Sequence, residues 1–414
     1  MTTPDYDKIY RIHKDKLLRI SDQLTALAGT PEYRSASSGN VQVLREQLKV
    51  LYTTEILRPH YADDYIVFVA IETDIEDAKA ILEVTTHLPE LLLLPTNHED
   101  QNTVLGAVFK ELQTVDGNQD SDEYPKTVAL VMRVIDMLQD TGQLVNSLRV
   151  VEDANDLVHA LYDSSLVDYV LNLVDPEELV SALEITDSST VLSNAIIERG
   201  NDHTSIESRV SSAISIIKRM SLDNRRHREF LSTKKLHAYG HSATYLHLLT
   251  DKTIDFGRVL LEFLDDNELF VNLMSHKNSE GMTPLASSYL NQNPAVFKAF
   301  LTRMSTIDKV VDDETGLAVQ GSLYEKLINL FGAEDNSFEQ GESIMYAMTR
   351  NYEESLEFWA IMAQTGWIRR EVFSDEVPWT VMNVRVPEDF TYWGYIKSVP
   401  GIAAYIPNLS KGVM

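Results

Sequence analysis

Cysteine is absent from this 414-residue chain. That absence removes disulfides, zinc–thiolate centres and cysteine nucleophiles together, and it fits a reducing, cytoplasmic setting. Long apolar runs are missing too. None approaches the roughly 20 residues that cross a bilayer, and the longest candidate, Leu91 to Leu94, stops at Pro95. The opening Met-Thr-Thr-Pro-Asp-Tyr-Asp has neither a basic nor an apolar region, so no secretory signal peptide is expected. Basic charge is scarce: 36 Lys and Arg stand against 63 Asp and Glu, a net charge of −27. Such a field repels nucleic acid and anionic membranes and favours neutral or basic protein partners.

Catalytic and metal signatures are also sparse. The chain has no P-loop, dinucleotide fingerprint or kinase loop. Gly240-His241-Ser242-Ala243-Thr244 begins like a nucleophile elbow but lacks the closing Gly. Asp265-Asp266 and Asp312-Asp313-Glu314 are adjacent acids, and neighbours in sequence do not face one another on a helix. The run Asp116 to Asp122 alternates oxygen ligands like a calcium loop. Ser121 then stands where Gly is needed and Thr127 where a bidentate Glu is needed, so an acidic surface loop is expected. His237 and His241 have the i, i+4 spacing of two helix-borne ligands, but Gly240 argues for a turn and no Glu follows the first His. No metal or cofactor is expected.

What the chain has is helix-forming pattern, with 44% hydrophobic residues to build a core. Thr3-Pro4-Asp5 reads as a helix start, followed by Ile9, Ile12, Leu17, Ile20, Leu24 and Leu27 up to Gly29. Val43, Leu44, Leu48 and Leu51 mark a second helix. The best-marked stretch runs from Glu280 to Leu301. Gly281 suits a turn, Thr283 caps, Pro284 takes the first helical position, and Leu285 faces inward. Asn293 and Pro294 start a second helix, whose Val296, Phe297, Phe300 and Leu301 share one buried face.

Gly281-x-Thr283-Pro284-Leu285, with a short helix and a longer one behind it, resembles an ankyrin repeat, a unit of about 33 residues that carries T-P-L-H-x-A. Ala286 and Ser288 stand at the His and Ala positions. Weaker echoes occur at Asn102 to Ala107, Asp187 to Ala195, Thr244-Tyr245-Leu246-His247 and Ser343 to Ala347. His247 holds the motif's His position, where a ring can bond to a neighbouring turn. The steps from Thr190 to Thr244, Thr283 and Ser343 are 54, 39 and 60 residues, so insertions are expected. The resemblance implies an all-α fold, an irregular α-solenoid of ankyrin-like helix pairs. Residues 1–60 form its N-terminal helical cap, 61–363 the array, and 364–414 a Trp-rich cap or docking segment. All four Trp (Trp359, Trp367, Trp379, Trp393) lie at that end.

An ankyrin-like chain of this character also resembles the effectors that intracellular bacteria place in host cells, which implies a host protein as partner and entry into a host cytosol without a signal peptide. Three groups of residues are candidates for contact. One is the basic run with Lys218, Arg219, Arg225, Arg226, Arg228, Lys234 and Lys235, suited to acidic or phosphorylated peptides because Arg binds such groups bidentately. Another is the tip His276, Lys277 and Asn278, and the last is Trp379 as an aromatic anchor. The same residues are equally read as a solvated helix face, an ordinary loop and an end cap. Two other classes stand beside recognition. One is an enzyme, hydrolase or transferase, with a groove between Lys218 and His247, and the other is a scaffold that oligomerises through its Trp-rich end.

Overall fold

The computed structural model describes residues 5–34, 38–54, 64–96, 102–116, 123–148, 155–186, 189–197, 206–233, 236–238, 241–312, 318–332, 344–351 and 354–367. The chain is mostly helical and divides into two compact units, Met1–Ala195 and Ile196–Met414.

The first unit opens on the Tyr6–Leu27 helix, capped by the Asp5 carboxylate, which accepts from the Lys8 amide at 3.1 Å. Tyr10, Leu17 and Leu24 repeat at sevens and are buried against Val41, Leu48 and Tyr52 of the Gly39–Tyr52 helix. Short elements follow: Ile66–Ile71, buried at every residue; Ile75–Leu82, capped by Asp74 and continued by the 3-10 turn Glu83–Thr86; and the 3-10 turn Pro89–Leu93. His87 joins this set to the first helices. Its ring bonds Tyr33 at 2.7 Å and Thr25 at 3.2 Å, while Arg45 donates to its carbonyl at 2.7 Å.

The same order then recurs. Val104–Asp116, Glu123–Asp140 and Leu144–Leu148 form one set; Asp156–Ala160, Ser164–Leu173 and Leu179–Leu183 form the next. First elements pack on first elements, 66–71 on 104–116 and 104–116 on 156–160. Second elements pack likewise, 75–82 on 123–140, and so do the third, 89–93 on 144–148 and 144–148 on 179–183. A short antiparallel ribbon, Glu184–Thr186 with Ser189–Thr190, closes the unit.

The second unit repeats the theme. Ile206–Lys218 packs on Ile254–Phe263, that helix on Pro294–Met304, and that on Leu356–Gln364. Of the short first elements, the 3-10 turn Tyr245–Leu248 packs on Pro284–Leu290. Of the third elements, Asn267–Met274 packs on Leu323–Gly332.

Two expectations change here. The sequence reads as helix pairs without strands, but each set of the first unit has a third helical element, and so have sets of the second. Two ribbons exist as well, the second pairing Leu236–Ala238 with His241–Ala243. His237 and His241 therefore sit on paired antiparallel strands and not on one helical face. The third element and the stretches between sets account for the uneven spacing. Thr244 to Thr283 holds a complete set, whereas Thr283 to Ser343 also contains the Val311–Ala318 bridge.

The Glu280–Leu301 stretch folds as read. Gly281 has φ +85°, Thr283 accepts from the Ala286 amide, Pro284 begins the helix, and Val296, Phe297, Phe300 and Leu301 are buried. Trp359 and Trp367 are core residues of this unit. The Trp359 indole donates to the Met348 carbonyl, and the Trp367 indole donates to the Leu301 carbonyl at 2.9 Å between Tyr324 and Phe331. Trp379 and Trp393, the expected start at Thr3-Pro4 and residues 117–122 of the acidic run lie outside the described residues.

Candidate partner-binding surface

The basic run breaks into two helices. The first ends at Lys218. Asn224 starts the second, Arg225–Leu231, by accepting from the Arg226 amide at 2.9 Å. His227, Phe230 and Leu231 point inward, and the His227 ring accepts from the Ser221 amide at 3.0 Å, which makes it a satisfied core histidine. Arg219, Arg225, Arg226 and Arg228 remain exposed. Arg225 bonds Glu229 at 2.7 Å along its own helix, and Arg228 pairs with Asp266. The Leu269 amide and then the Arg228 guanidinium hold Asp266 below the usual carboxylate range. Lys234 and Lys235 lie outside the described residues.

Asp266 is the cap of the Asn267–Met274 helix. Arg303 braces that end, donating to the Leu264 carbonyl at 2.8 Å and to Asn267 at 2.9 Å while lying 4.7 Å over the Phe270 ring. The other end of the helix leads into the tip, so Arg228 and the 276–278 tip stand at opposite ends of one helix about 12 Å long. Between them Arg228, Ser232, Glu268, Leu269, Asn272 and Leu273 line a shallow depression of about 300 Å³.

Within the tip, Asn278 is committed to the turn. Its side-chain oxygen accepts from the Glu280 amide at 3.0 Å and the Met282 amide at 2.9 Å. Lys277 is exposed, and the His276 ring sits edge-on to His247 with centroids 6.2 Å apart. The sequence singles out these three as a contact group; in the structure Asn278 shapes the loop that presents Lys277.

His247 is the hinge pin of this region. Its Nδ1 accepts from the Thr244 amide at 3.2 Å, which leaves the proton on Nε2, and Nε2 donates to the Met282 carbonyl at 2.9 Å. The ring thus ties the Thr244 start to the residue before Thr283. Burial drives its pKa down to about 4. A second tie lies one turn further on, where Asp251 bonds both Asn293 and Val296. The Asp251 amide donates to the Asn293 side chain at 3.0 Å, and the Asp251 carboxylate accepts from the Val296 amide at 3.1 Å. Asn293 starts its helix as expected, but its side chain serves the neighbouring set and not its own amides.

The first unit has a comparable tie that sequence reading missed. The buried Asp156 carboxylate accepts from the Thr103 amide at 3.2 Å, from the Thr103 hydroxyl and from the Gly106 amide, so it caps the Val104–Asp116 helix from the following set. Burial raises its pKa to about 7, against the pull of those donors. Gly106 is what lets it approach: a Cβ there would collide with the carboxylate. The signal in the sequence is a glycine in the first turn of an otherwise apolar helix.

Among the described residues no group of His, Asp and Glu could hold a metal, and no helix is long and apolar enough to cross a membrane. No family model, curated protein or solved structure matches this chain.

Proposed function

We propose that this chain is a protein-recognition scaffold, an irregular α-solenoid of ankyrin-like units that receives its partner along the surface between the Arg225–Leu231 helix and the 276–278 tip. The observation that carries the reading is the His247 bridge. It occupies the motif's histidine position and joins one Thr-capped start to the turn ahead of the next, which is how stacked repeats hold register through nearest-neighbour contacts. Repeated packing of first, second and third elements on their counterparts supports it within each unit.

The partner chemistry follows from the surface. Exposed arginines beside a rigid tip with Lys277 suit an acidic or phosphorylated segment, and the strongly acidic remainder of the chain rejects competing anionic polymers. The effector resemblance makes host proteins the class to try first. Affinity capture from host-cell lysate with the full chain is the test, comparing it with a variant carrying Arg225→Glu, Arg226→Glu, Arg228→Glu and Lys277→Glu. The reading expects one partner whose capture falls at least about tenfold on reversal and weakens with salt. Equal capture by both chains removes this surface from the account.

A further inference from the structure

The face of the first helix pair turned away from the core is apolar and uncovered among the described residues. On Tyr6–Leu27, Ile9, Ile12, Lys16, Arg19, Ile20 and Gln23 fall within about 100° of arc, centred about 110° round the helix from the buried Tyr10, Leu17 and Leu24. On Gly39–Tyr52, Val43, Glu46, Gln47, Val50 and Leu51 form the matching face, opposite Val41, Leu48 and Tyr52. Between the helices lies an open groove of about 610 Å³ with Ile20, Val50 and Leu51 in it, Lys16 and Arg19 on one wall and Glu46 on the other. Seven large apolar residues are exposed among those described, and four of them, Ile9, Ile12, Val43 and Val50, belong to this face. Val50 is 62% exposed. Solvated helices of a monomer do not concentrate their apolar exposure in this way.

Charge selects the occupant. Residues 5–54 hold eight basic and six acidic side chains, whereas the whole chain holds 36 and 63. Two copies of so acidic a chain repel over most of their surface, and the mixed charge of these helices, like the basic run at 218–235, interrupts that field. The groove is also self-complementary, with a basic wall on the first helix and Glu46 on the antiparallel second one. A two-fold axis that lays the first helix of one copy over the second helix of the other brings Lys16 and Arg19 to the other copy's Glu46, and joins the apolar stripes into a four-helix arrangement. An acidic helix from a different protein would instead meet Glu46 with like charge.

We infer that this face is a docking surface for a second copy of the chain, forming a two-fold dimer through the paired N-terminal helices. A face about 33 Å by 20 Å buries roughly 1,300 Å² in total, at the small end of specific interfaces. Dissociation in the micromolar range is therefore expected, with monomer at high dilution.

Sedimentation velocity of the full chain from about 1 to 200 µM tests this. The expected result is a concentration-dependent shift from monomer to dimer that Val50→Glu weakens at least about tenfold, with unchanged helical circular dichroism because Val50 is exposed. A second pair of variants guards against local disruption: Arg19→Glu and Glu46→Arg should each weaken the dimer and together restore it. Monomer throughout the range, which would leave the face to another protein or another segment of this chain, overturns the inference. So does a dimer indifferent to Val50→Glu, or one that the paired charge swap fails to restore.

Discussion

In the first unit the start of the Val104–Asp116 helix is met by a buried carboxylate, Asp156; in the second, the turn ahead of Pro284–Leu290 is met by a half-buried imidazole, His247. Both side chains come from a neighbouring set and satisfy backbone groups that a helix start or turn leaves open. They differ in reach. A carboxylate is short, so the helix must come close, and Gly106 makes room. An imidazole spans about twice the distance, so its neighbours need no such concession. They differ also in charge, because burial favours the neutral form of each and therefore pushes the two pKa values in opposite directions. One task, holding a set against its neighbour, thus acquires two opposite responses to acid.

That opposition gives the largest expected effect. From pH 3.8 to about 7 the folded chain keeps the Asp156 proton that the unfolded chain has lost, so stability falls as pH rises through this window, by about 4 kcal/mol in all. From about pH 4 to 6.5 the unfolded chain binds a proton at His247 that the folded chain refuses, so stability rises with pH, by about 3 kcal/mol, and is complete above 6.5. Urea unfolding across pH 4–8 should show Asp156→Asn abolishing the falling component and His247→Gln abolishing the rising one. Parallel curves for wild type and both variants would erase the contrast.

Gly106→Ala comes next. In an open helix this change stabilises by up to about 1 kcal/mol. Here the methyl displaces Asp156 and strands the Thr103 and Gly106 amides, so a net loss of about 2–3 kcal/mol is expected in thermal or urea unfolding. Gly257→Ala, in the second unit, meets methyl groups of Leu249 and Ile254, the nearest at 3.3 Å, and should cost much less. Similar losses at both glycines would mean that the carboxylate tie contributes nothing special. The smallest effect belongs to Arg228→Ala: its ion pair with Asp266 is half-exposed and worth below about 1 kcal/mol, so the unfolding midpoint should barely move. A large shift would recast Arg228 as a structural residue and weaken its claim to a partner.

The sequence is informative where the chemistry is local. Thr283, Pro284 and the buried face from Val296 to Leu301 could be read because caps and periodicity act within a turn or two. Asn267–Met274 escaped notice because its run of Leu269, Phe270, Val271, Leu273 and Met274 is buried on most sides and shows no clear helical stripe. The ribbons are two or three residues long, too short for alternation to register. Asp156 acts on Thr103 from 53 residues away, and nothing near either residue announces the partner. The basic run was visible at once, but its division into core-facing His227 and Phe230 and outward arginines depends on the turn at 219–224 and its Asn224 cap.

Native-state hydrogen exchange on the full chain, wild type against His247→Ala, tests most directly whether consecutive sets are tied through their polar bridges. The account predicts that protection falls in Ile254–Phe263 and also across the bridge in Pro284–Leu290 and Pro294–Met304, while Tyr6–Leu27 and Gly39–Tyr52 stay unchanged. Loss confined to the turn at Tyr245–Leu248 would contradict it.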